Sequence, residues 1–123
     1  AMIEVKLFGT SYGSKAALVQ MKKQGEGTII NILSISALVG HPESSGYCAS
    51  KFAAAGFTKS LAEEVKSSNL KVIAIYPDRM KTHFFDEKLP KDIDDYMEPA
   101  DVANKIINNL KKPEPELEMI IKK

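Results

Sequence analysis

The sequence predicts an α/β fold in which helices and strands alternate, beginning with a helix and ending with a strand. Two short apolar runs, residues 28–33 and 70–76, predict strands. The first is β-branched with little alternation, which is typical of a strand buried on both faces of a parallel sheet. The segments around them are longer and carry apolar residues at helical spacing. Strands that alternate with helices in this way are joined by crossovers and form a parallel sheet.

The first half of the chain gives a clear order of elements. A helix over about residues 7–23 keeps a partly apolar face and is ended by Gly25-Glu26-Gly27. After the strand at 28–33, a loop runs from Ser34 to about Ser45. A second helix follows over about residues 45–67. Its centre is rich in alanine and glycine, so we expect it to pack closely against other helices as well as against the sheet.

The second half repeats the alternation. The strand at 70–76 is ended by Pro77, and a charged segment over 78–98 predicts a long loop with a helical turn. A loop of this length inside a compact domain is often functional. Glu98-Pro99 opens a third helix, because proline is tolerated in a first helical turn. A short last strand is expected over residues 117–121.

Length and composition narrow the function classes. The 123 residues allow one domain at most, and their 44% hydrophobic content is enough to form a core. With a formal charge of +1, nothing favours a nucleic acid or an anionic membrane surface as partner, and no apolar run is long enough to span a membrane. A single cysteine excludes an intrachain disulfide. We expect a cytoplasmic protein.

Two residues near the start of the second helix suggest proton-transfer chemistry. Tyr47 and Lys51 are four residues apart and therefore share one helical face. An ammonium group beside a phenol favours the phenolate, so Tyr47 is a candidate general acid and base. Ser34 stands at the carboxyl end of the first strand, where ligands bind in open α/β sheets. Residues 77–82 follow the second strand at the same edge of the sheet.

Together these motifs resemble the short-chain dehydrogenase/reductase family over essentially the whole chain. The resemblance implies a Rossmann-like, three-layer αβα fold with a parallel sheet, here truncated to about three strands and three main helices. It is carried by Gly27–Ser34, Gly46–Phe52, Ala62–Val65, Val72–Pro77 with Thr82, and Asp101–Ala103.

The family resemblance also implies an activity and a set of site residues. Members reduce carbonyls or oxidise alcohols of small molecules, with the hydride supplied or accepted by NAD or NADP. By this likeness, Tyr47 would exchange a proton with the substrate oxygen and Ser34 would orient that oxygen. Lys51 would favour the phenolate and hold the nicotinamide ribose. Tyr47, Lys51, Pro77 and Thr82 would contact the cofactor.

The sequence departs from the family pattern in three places. Family members begin with a strand and a glycine-rich turn that seats the cofactor pyrophosphate, but Gly9 and Gly13 fall inside the first helix. We therefore interpret residues 1–123 as one partial domain, the second half of the fold, which leaves the choice between NAD and NADP open. Lys6 occupies a position where asparagine is usual and puts a proton relay in doubt. Asp78 replaces a usual glycine and could crowd the nicotinamide.

Two alternatives at the level of function stay open. The chain is either a catalytic half that needs the missing amino-terminal half, or a non-catalytic remnant that acts as an oligomeric interaction module. The strand at 28–33 would expose a hydrogen-bonding edge, and such edges invite pairing. We therefore expect a homo-oligomer or a complex with the missing half.

Other polar and apolar residues have plain structural interpretations. Ser34 could be a loop or capping hydroxyl, and Tyr47 and Lys51 could be an idle pair. We expect Cys48 to be buried and inert. Solvated loop positions are predicted for His41, His83, Asp92, Asp94 and Asp95, whereas Met80, Phe84 and Phe85 would either line a substrate pocket or pack the loop.

Overall fold

The computed structural model describes residues 4–82 and 90–123. It confirms the alternation of helices and strands. A π-helical turn at Glu4–Phe8 leads into α1 (Gly9–Gln24), β1 (Gly27–Ile32), α2 (Ser45–Val65), β2 (Leu70–Pro77), α3 (Pro99–Leu110) and β3 (Glu118–Ile121). Within those ranges, no helix has both the length and the apolar character needed to cross a lipid bilayer.

The three strands form one parallel sheet in the order β1-β2-β3. Gly27 lies opposite Leu70 at one end of the β1–β2 pair, and Ile32 lies opposite Ile75 at the other. Pro77 at the end of β2 lies opposite Ile121. The parallel arrangement places the carboxyl ends of all strands at one edge of the sheet, as the sequence predicted.

Alternate residues of β2 point into two separate cores, which gives the three-layer architecture. Val72 packs with residues of α1, α2 and β1, such as Met21 and Leu61. Its neighbour Ile73 points the other way, into a cluster with Val102 of α3. Since side chains alternate across a strand, only a sheet covered by helices on both faces buries such a continuous apolar run.

The prediction that β1 is buried on both faces is only partly correct. Ile29 is buried, but Ile32 is 51% exposed and Thr28 is exposed. The reason is position in the sheet: among the described residues, β1 is an edge strand that pairs with β2 alone. An apolar strand sequence therefore indicates a strand but does not indicate whether both of its neighbours are present.

Buried polar side chains tie the layers together. Thr58 of α2 is 1% exposed, and its hydroxyl donates to the carbonyl oxygen of Ala54 at 2.8 Å and accepts from Nδ2 of Asn31 at 3.0 Å. This contact connects α2 to β1. Because a buried polar group without a partner is destabilising, the pair fixes how α2 sits on the sheet.

Asn109 performs a similar function in the last turn of α3. The residue is 2% exposed, and its amide group exchanges two hydrogen bonds of 2.9 Å with the backbone of Glu116. These bonds hold the connection to β3 in place, so that β3 starts in register with β2.

The long loop after β2 contains the helical turn that the sequence predicted, a 3-10 turn at Ile93–Asp95. An isolated parallel bridge between Met80 and Met97 joins its two ends. His83, Phe84 and Phe85 lie outside the described residues.

Gly27 is required by the close approach of α1 to β1. Its φ is +156°, and a Cβ atom there would lie 2.4 Å from Cγ of Met21, a buried residue of the α1 core. Gly13, on an exposed part of α1, would meet no atom within 4 Å. A side chain is therefore excluded at position 27 and accommodated at position 13.

We predict that Gly27→Ala lowers the free energy of unfolding by about 1–3 kcal/mol, since it adds backbone strain and a clash. Gly13→Ala is the matched control and raises stability by about 0.5–1 kcal/mol, because alanine is the better helix former. Urea unfolding followed by circular dichroism measures both. Equal changes in the two variants would contradict the assignment.

Tyr76 connects β2 to β3 through its side chain. It is 1% exposed, and its hydroxyl donates to Oε1 of Glu118 at 2.9 Å. Oε1 of Glu118 also lies 3.7 Å from Nζ of Lys59 on α2. Burial, and then the bond to the Glu118 carboxylate, raise the pKa of the Tyr76 phenol well above its usual range.

This raised pKa predicts a loss of stability at alkaline pH. Above about pH 10 the unfolded chain releases the phenol proton while the folded chain keeps it, so the free energy of unfolding falls by up to about 1.4 kcal/mol per pH unit. Tyr76→Phe removes this dependence. Urea unfolding between about pH 9 and 11 measures the difference in slope between the two proteins, and identical slopes would refute the prediction.

Candidate functional site

A cleft of about 820 Å³ lies at the carboxyl ends of β1 and β2. This is the edge at which open α/β sheets bind ligands, and the volume is in the usual range for small-molecule sites. The lining combines hydroxyl groups, a carboxylate next to a guanidinium, and apolar side chains. Its residues are Leu33, Ser34, Ile35, Ser36, His41, Ser44, Tyr47, Pro77, Asp78, Arg79, Met80 and Thr82.

Ser34 is held in the cleft by the end of β1. The backbone N–H of Leu33 still donates to the carbonyl of Ile75 at 2.7 Å, so the strand geometry continues up to Ser34. The Ser34 hydroxyl accepts a hydrogen bond of 3.1 Å from the N–H of Ser36 and caps a 3-10 turn. A hydroxyl that accepts in this way still has a hydrogen to donate to a ligand oxygen. Ser34 therefore combines the capping role with a donor at the cleft.

Tyr47 enters the same cleft from the first turn of α2. Its side chain is 38% exposed, and its backbone carbonyl accepts from the Ser50 hydroxyl at 2.7 Å. Nζ of Lys51 lies 5.6 Å from the centre of the Tyr47 ring. Lys51 stands one turn further along α2 and is not among the described residues that line the cleft. Its ammonium group therefore lies near the Tyr47 ring and outside the cleft lining.

Pro77 and Thr82 form the opposite side of the cleft. Pro77 is the last residue of β2 and is buried, whereas Thr82 is exposed and is the last described residue before the gap at 83–89. The structure therefore brings Ser34, Tyr47, Pro77 and Thr82 to one cleft. They come from three separate stretches of the chain, and the parallel sheet places those stretches side by side.

Asp78 lies in the cleft wall and contacts Arg79, which also pairs with Asp92. One carboxylate oxygen accepts the backbone N–H of Arg79 at 2.7 Å and lies 3.7 Å from Nε of the same residue. The backbone N–H of Asp78 donates to the carbonyl of Ile121 at 2.9 Å. The carboxylate is therefore paired within the chain. The side chain of Lys6, the other unusual position, lies outside the part that the structure describes.

Sequence reasoning missed several cleft residues. Ser36, Ser44 and Arg79 line the cleft. His41 is exposed, as expected for a loop residue, yet it also lines the cleft. Arg79 lies within residues 77–82, which the sequence places at this edge just after β2. The residues of the 34–45 loop gave none, since the path of a loop depends on tertiary packing.

Two other expectations have different outcomes. Cys48 is 7% exposed with Sγ 4.0 Å from the Val39 carbonyl oxygen, which confirms that it is buried. Asp94 and Asp95 are exposed as predicted, but Asp92 is half-buried and forms an ion pair of 2.5 Å with Arg79. With its side chain 44% exposed, Asp92 is still a solvated loop residue, but it has a partner because the loop folds back toward the end of β2.

Comparison with known proteins shows which sequences and folds this chain is similar to. A family model described as short chain dehydrogenase matches residues 1–93. The 3-alpha-(or 20-beta)-hydroxysteroid dehydrogenase of Mycobacterium bovis is 39% identical over 111 residues, which cover 86% of this chain and 42% of that protein.

Solved structures superpose over nearly the whole chain. A 4-hydroxyisoleucine dehydrogenase mutant complexed with NADH and succinate matches with a TM-score of 0.84 and 26% identity, covering 97% of this chain and 55% of that one. A short chain dehydrogenase from Burkholderia cenocepacia J2315 in complex with NADP gives a TM-score of 0.83 at 26% identity, covering 98% and 48%.

The chain spans about half the length of these relatives. The part that it spans includes the carboxyl edge of the sheet with the cleft described above. Because one family model accounts for three quarters of the residues and a relative at 39% identity covers most of the chain, this protein belongs to the short-chain dehydrogenase/reductase family.

Proposed function

We propose that this chain provides the catalytic half of an NAD(P)-dependent oxidoreductase that interconverts a carbonyl and an alcohol. The observation that carries the proposal is the shared cleft of Ser34 and Tyr47, with Lys51 behind the Tyr47 ring. A hydroxyl donor and a phenol that face one cavity can both reach the same ligand oxygen.

In this proposal, each residue has a separate task. Tyr47 gives a proton to the carbonyl oxygen during reduction and takes it back during oxidation. Ser34 donates a hydrogen bond to that oxygen and orients it. The Lys51 ammonium lies 5.6 Å from the Tyr47 ring and supports the negative charge that develops on the phenol oxygen when the proton leaves.

The residues of the cleft fit the nicotinamide end of a cofactor. Pro77 gives an apolar wall and Thr82 a hydroxyl, and the Asp78 carboxylate already accepts the backbone N–H of Arg79 and lies 3.7 Å from its Nε. Tyr47 and Lys51 would hold the adjoining ribose. When bound, the cofactor supplies or accepts the hydride. A reducing cytoplasm, expected for a chain with one free cysteine, would provide both NADH and NADPH.

For the substrate, we infer a neutral carbonyl compound or alcohol with an apolar frame. Leu33, Ile35 and Met80 give the cleft apolar walls, and the Asp78 and Arg79 side chains are already engaged in ion pairs within the chain. The name of the Mycobacterium relative, a hydroxysteroid dehydrogenase, agrees with such a substrate.

We also infer that these 123 residues form one partial domain whose site is completed by a second polypeptide segment. The support is the share of the relatives that the chain covers, 42% to 55% in the three comparisons. That segment would contact the remainder of the cofactor and would pair with the exposed edge of β1.

The test is turnover with and without the amino-terminal half of a full-length relative. We expect NADH or NADPH oxidation with a panel of ketones that includes steroids once the second half is added. Tyr47→Phe should lower kcat by at least about 100-fold, since it removes the proton donor. Tyr12→Phe is the matched control and should leave kcat unchanged, because Tyr12 is an exposed residue of α1 and is not among the described residues that line the cleft.

A second measurement uses the chain alone. We expect reduced nicotinamide mononucleotide, which lacks the adenine half of the cofactor, to bind the cleft as judged by calorimetry. No binding of this probe at millimolar concentration, together with no turnover after addition of the second half, would refute the catalytic proposal.

A non-catalytic interaction module is a second candidate, favoured by the exposed apolar surface of the first helix. Phe8, Tyr12 and Val19 are 46%, 66% and 59% exposed, and the rings of Phe8 and Tyr12 lie 6.0 Å apart. Their spacing puts them on one side of the helix. An apolar stripe of this kind is typical of a surface that binds another protein chain.

If this stripe joins two copies of the chain, sedimentation at tens of micromolar should show a dimer or a larger species. Val19→Glu should then shift the protein toward monomer, because it places a charge in the contact. Asn108→Glu, an equal change of charge on an exposed part of α3, is the control. A wild-type monomer with cooperative thermal unfolding would exclude self-association.

A further inference from the structure

The two ends of the loop after β2 are joined by backbone hydrogen bonds beside the cleft. The backbone N–H of Lys81 donates to the carbonyl of Met97 at 2.8 Å, and the N–H of Met97 donates to the carbonyl of Arg79 at 2.9 Å. Met97 is 5% exposed and packs in the α3 core, with Met80 against it. Residues 79–81 and 96–97 therefore form the two stems of the loop.

The Arg79 side chain crosses from the first stem to the second. Its Nη1 lies 2.5 Å from Oδ2 of Asp92, and its guanidinium carbon lies 4.7 Å from the centre of the Tyr96 ring. Tyr96 is 6% exposed, so the ring that receives the cation is fixed by its surroundings. The guanidinium thus contacts both the start and the end of the 3-10 turn that precedes the second stem.

The base of the Arg79 side chain is also fixed. Asp78 accepts the backbone N–H of Arg79 at 2.7 Å and lies 3.7 Å from Nε. A second ion pair joins Lys81 of the first stem to Glu98, the residue after the second stem, with Nζ 3.1 Å from Oε1. The stems are therefore joined by backbone hydrogen bonds and by charged side chains that are partly exposed.

We propose that Arg79 is a positioning residue for the cleft: its guanidinium clamps the second stem onto the first and so keeps Met80 and Thr82 in the cleft wall. What the cleft binds rests on the function proposed above. The clamp itself rests only on the contacts of Arg79 with Asp92 and Tyr96.

The chemistry of the guanidinium explains why arginine is needed. An exposed ion pair alone holds two segments weakly, and a stacked cation adds to it. Arginine makes both contacts at once, because its flat guanidinium can stack on a ring while it donates to a carboxylate in its own plane. A lysine ammonium can reach the carboxylate but offers no flat surface to Tyr96.

Amide hydrogen exchange measured by NMR on the intact chain tests the clamp. In Arg79→Ala we expect the amides of Lys81 and Met97 to exchange about five- to tenfold faster, since the stems separate more often. The amide of Ala74, bonded to the carbonyl of Leu117 at 2.9 Å within the sheet, should keep its rate. Lys66→Ala, which removes an exposed ion pair with Glu63 on α2, should change neither stem amide.

Further variants separate the two contacts. Asp92→Asn, which removes the carboxylate charge, and Arg79→Lys, which keeps the charge without the stack, should each give an increase between those of the wild type and Arg79→Ala. Unchanged stem amides in Arg79→Ala, or an equal increase at Ala74, would overturn the proposal. Full retention of slow exchange in Arg79→Lys would overturn the role of the guanidinium.

Titration with reduced nicotinamide mononucleotide, followed at the Thr82 amide, distinguishes this proposal from the proposed function. If both hold, Arg79→Ala raises the Kd of the probe by about fivefold relative to the wild type. If the wild type shows no response to the probe, the assignment of the cleft to nicotinamide fails, and the exchange rates still decide whether Arg79 clamps the stems.

Discussion

Burial of β2 between two helical layers is the constraint on which the rest of the structure depends. Val72 and Tyr76 face α1 and α2, whereas Ile73 and Ile75 face α3, so both cores are organised around one strand. Because β1 and β3 pair with β2 in parallel, all three strands end at the same edge of the sheet. The cleft lies at that edge.

Local interactions then set the position of each functional group. The last backbone hydrogen bond of the β1–β2 ladder places Ser34, the first turn of α2 places Tyr47, and the end of β2 places Pro77. The contact between Thr58 and Asn31 fixes α2 relative to β1, and therefore fixes Tyr47 relative to Ser34. These three residues are therefore placed by the ends of regular elements.

The exception is the wall formed by residues 78–82, which follows a strand but belongs to a long loop. Two features compensate. Met80 and Met97 pair and pack in the α3 core, and the side chain of Arg79 reaches Asp92 and Tyr96 across the loop. Asp78, which stands where the family usually has glycine, contacts Arg79 through its carboxylate. Asp78 therefore belongs to the same local arrangement as the contacts of Arg79 with Asp92 and Tyr96.

The sequence by itself determined the order of elements, the parallel sheet, the family, and the residues Ser34, Tyr47, Lys51, Pro77 and Thr82 as candidates. The element order and the parallel sheet follow from hydrophobic period and from glycine and proline at element ends, which are local properties. The family and the candidate roles of the five residues come from the resemblance of their motifs to a known family. Only the tertiary structure decided that β1 is partly exposed, that His41 and Arg79 line the cleft, and that Asp92 is paired. Each of these depends on which segments distant in sequence become neighbours, because exposure and ion pairing are properties of the folded surface and not of the residue types that compose it.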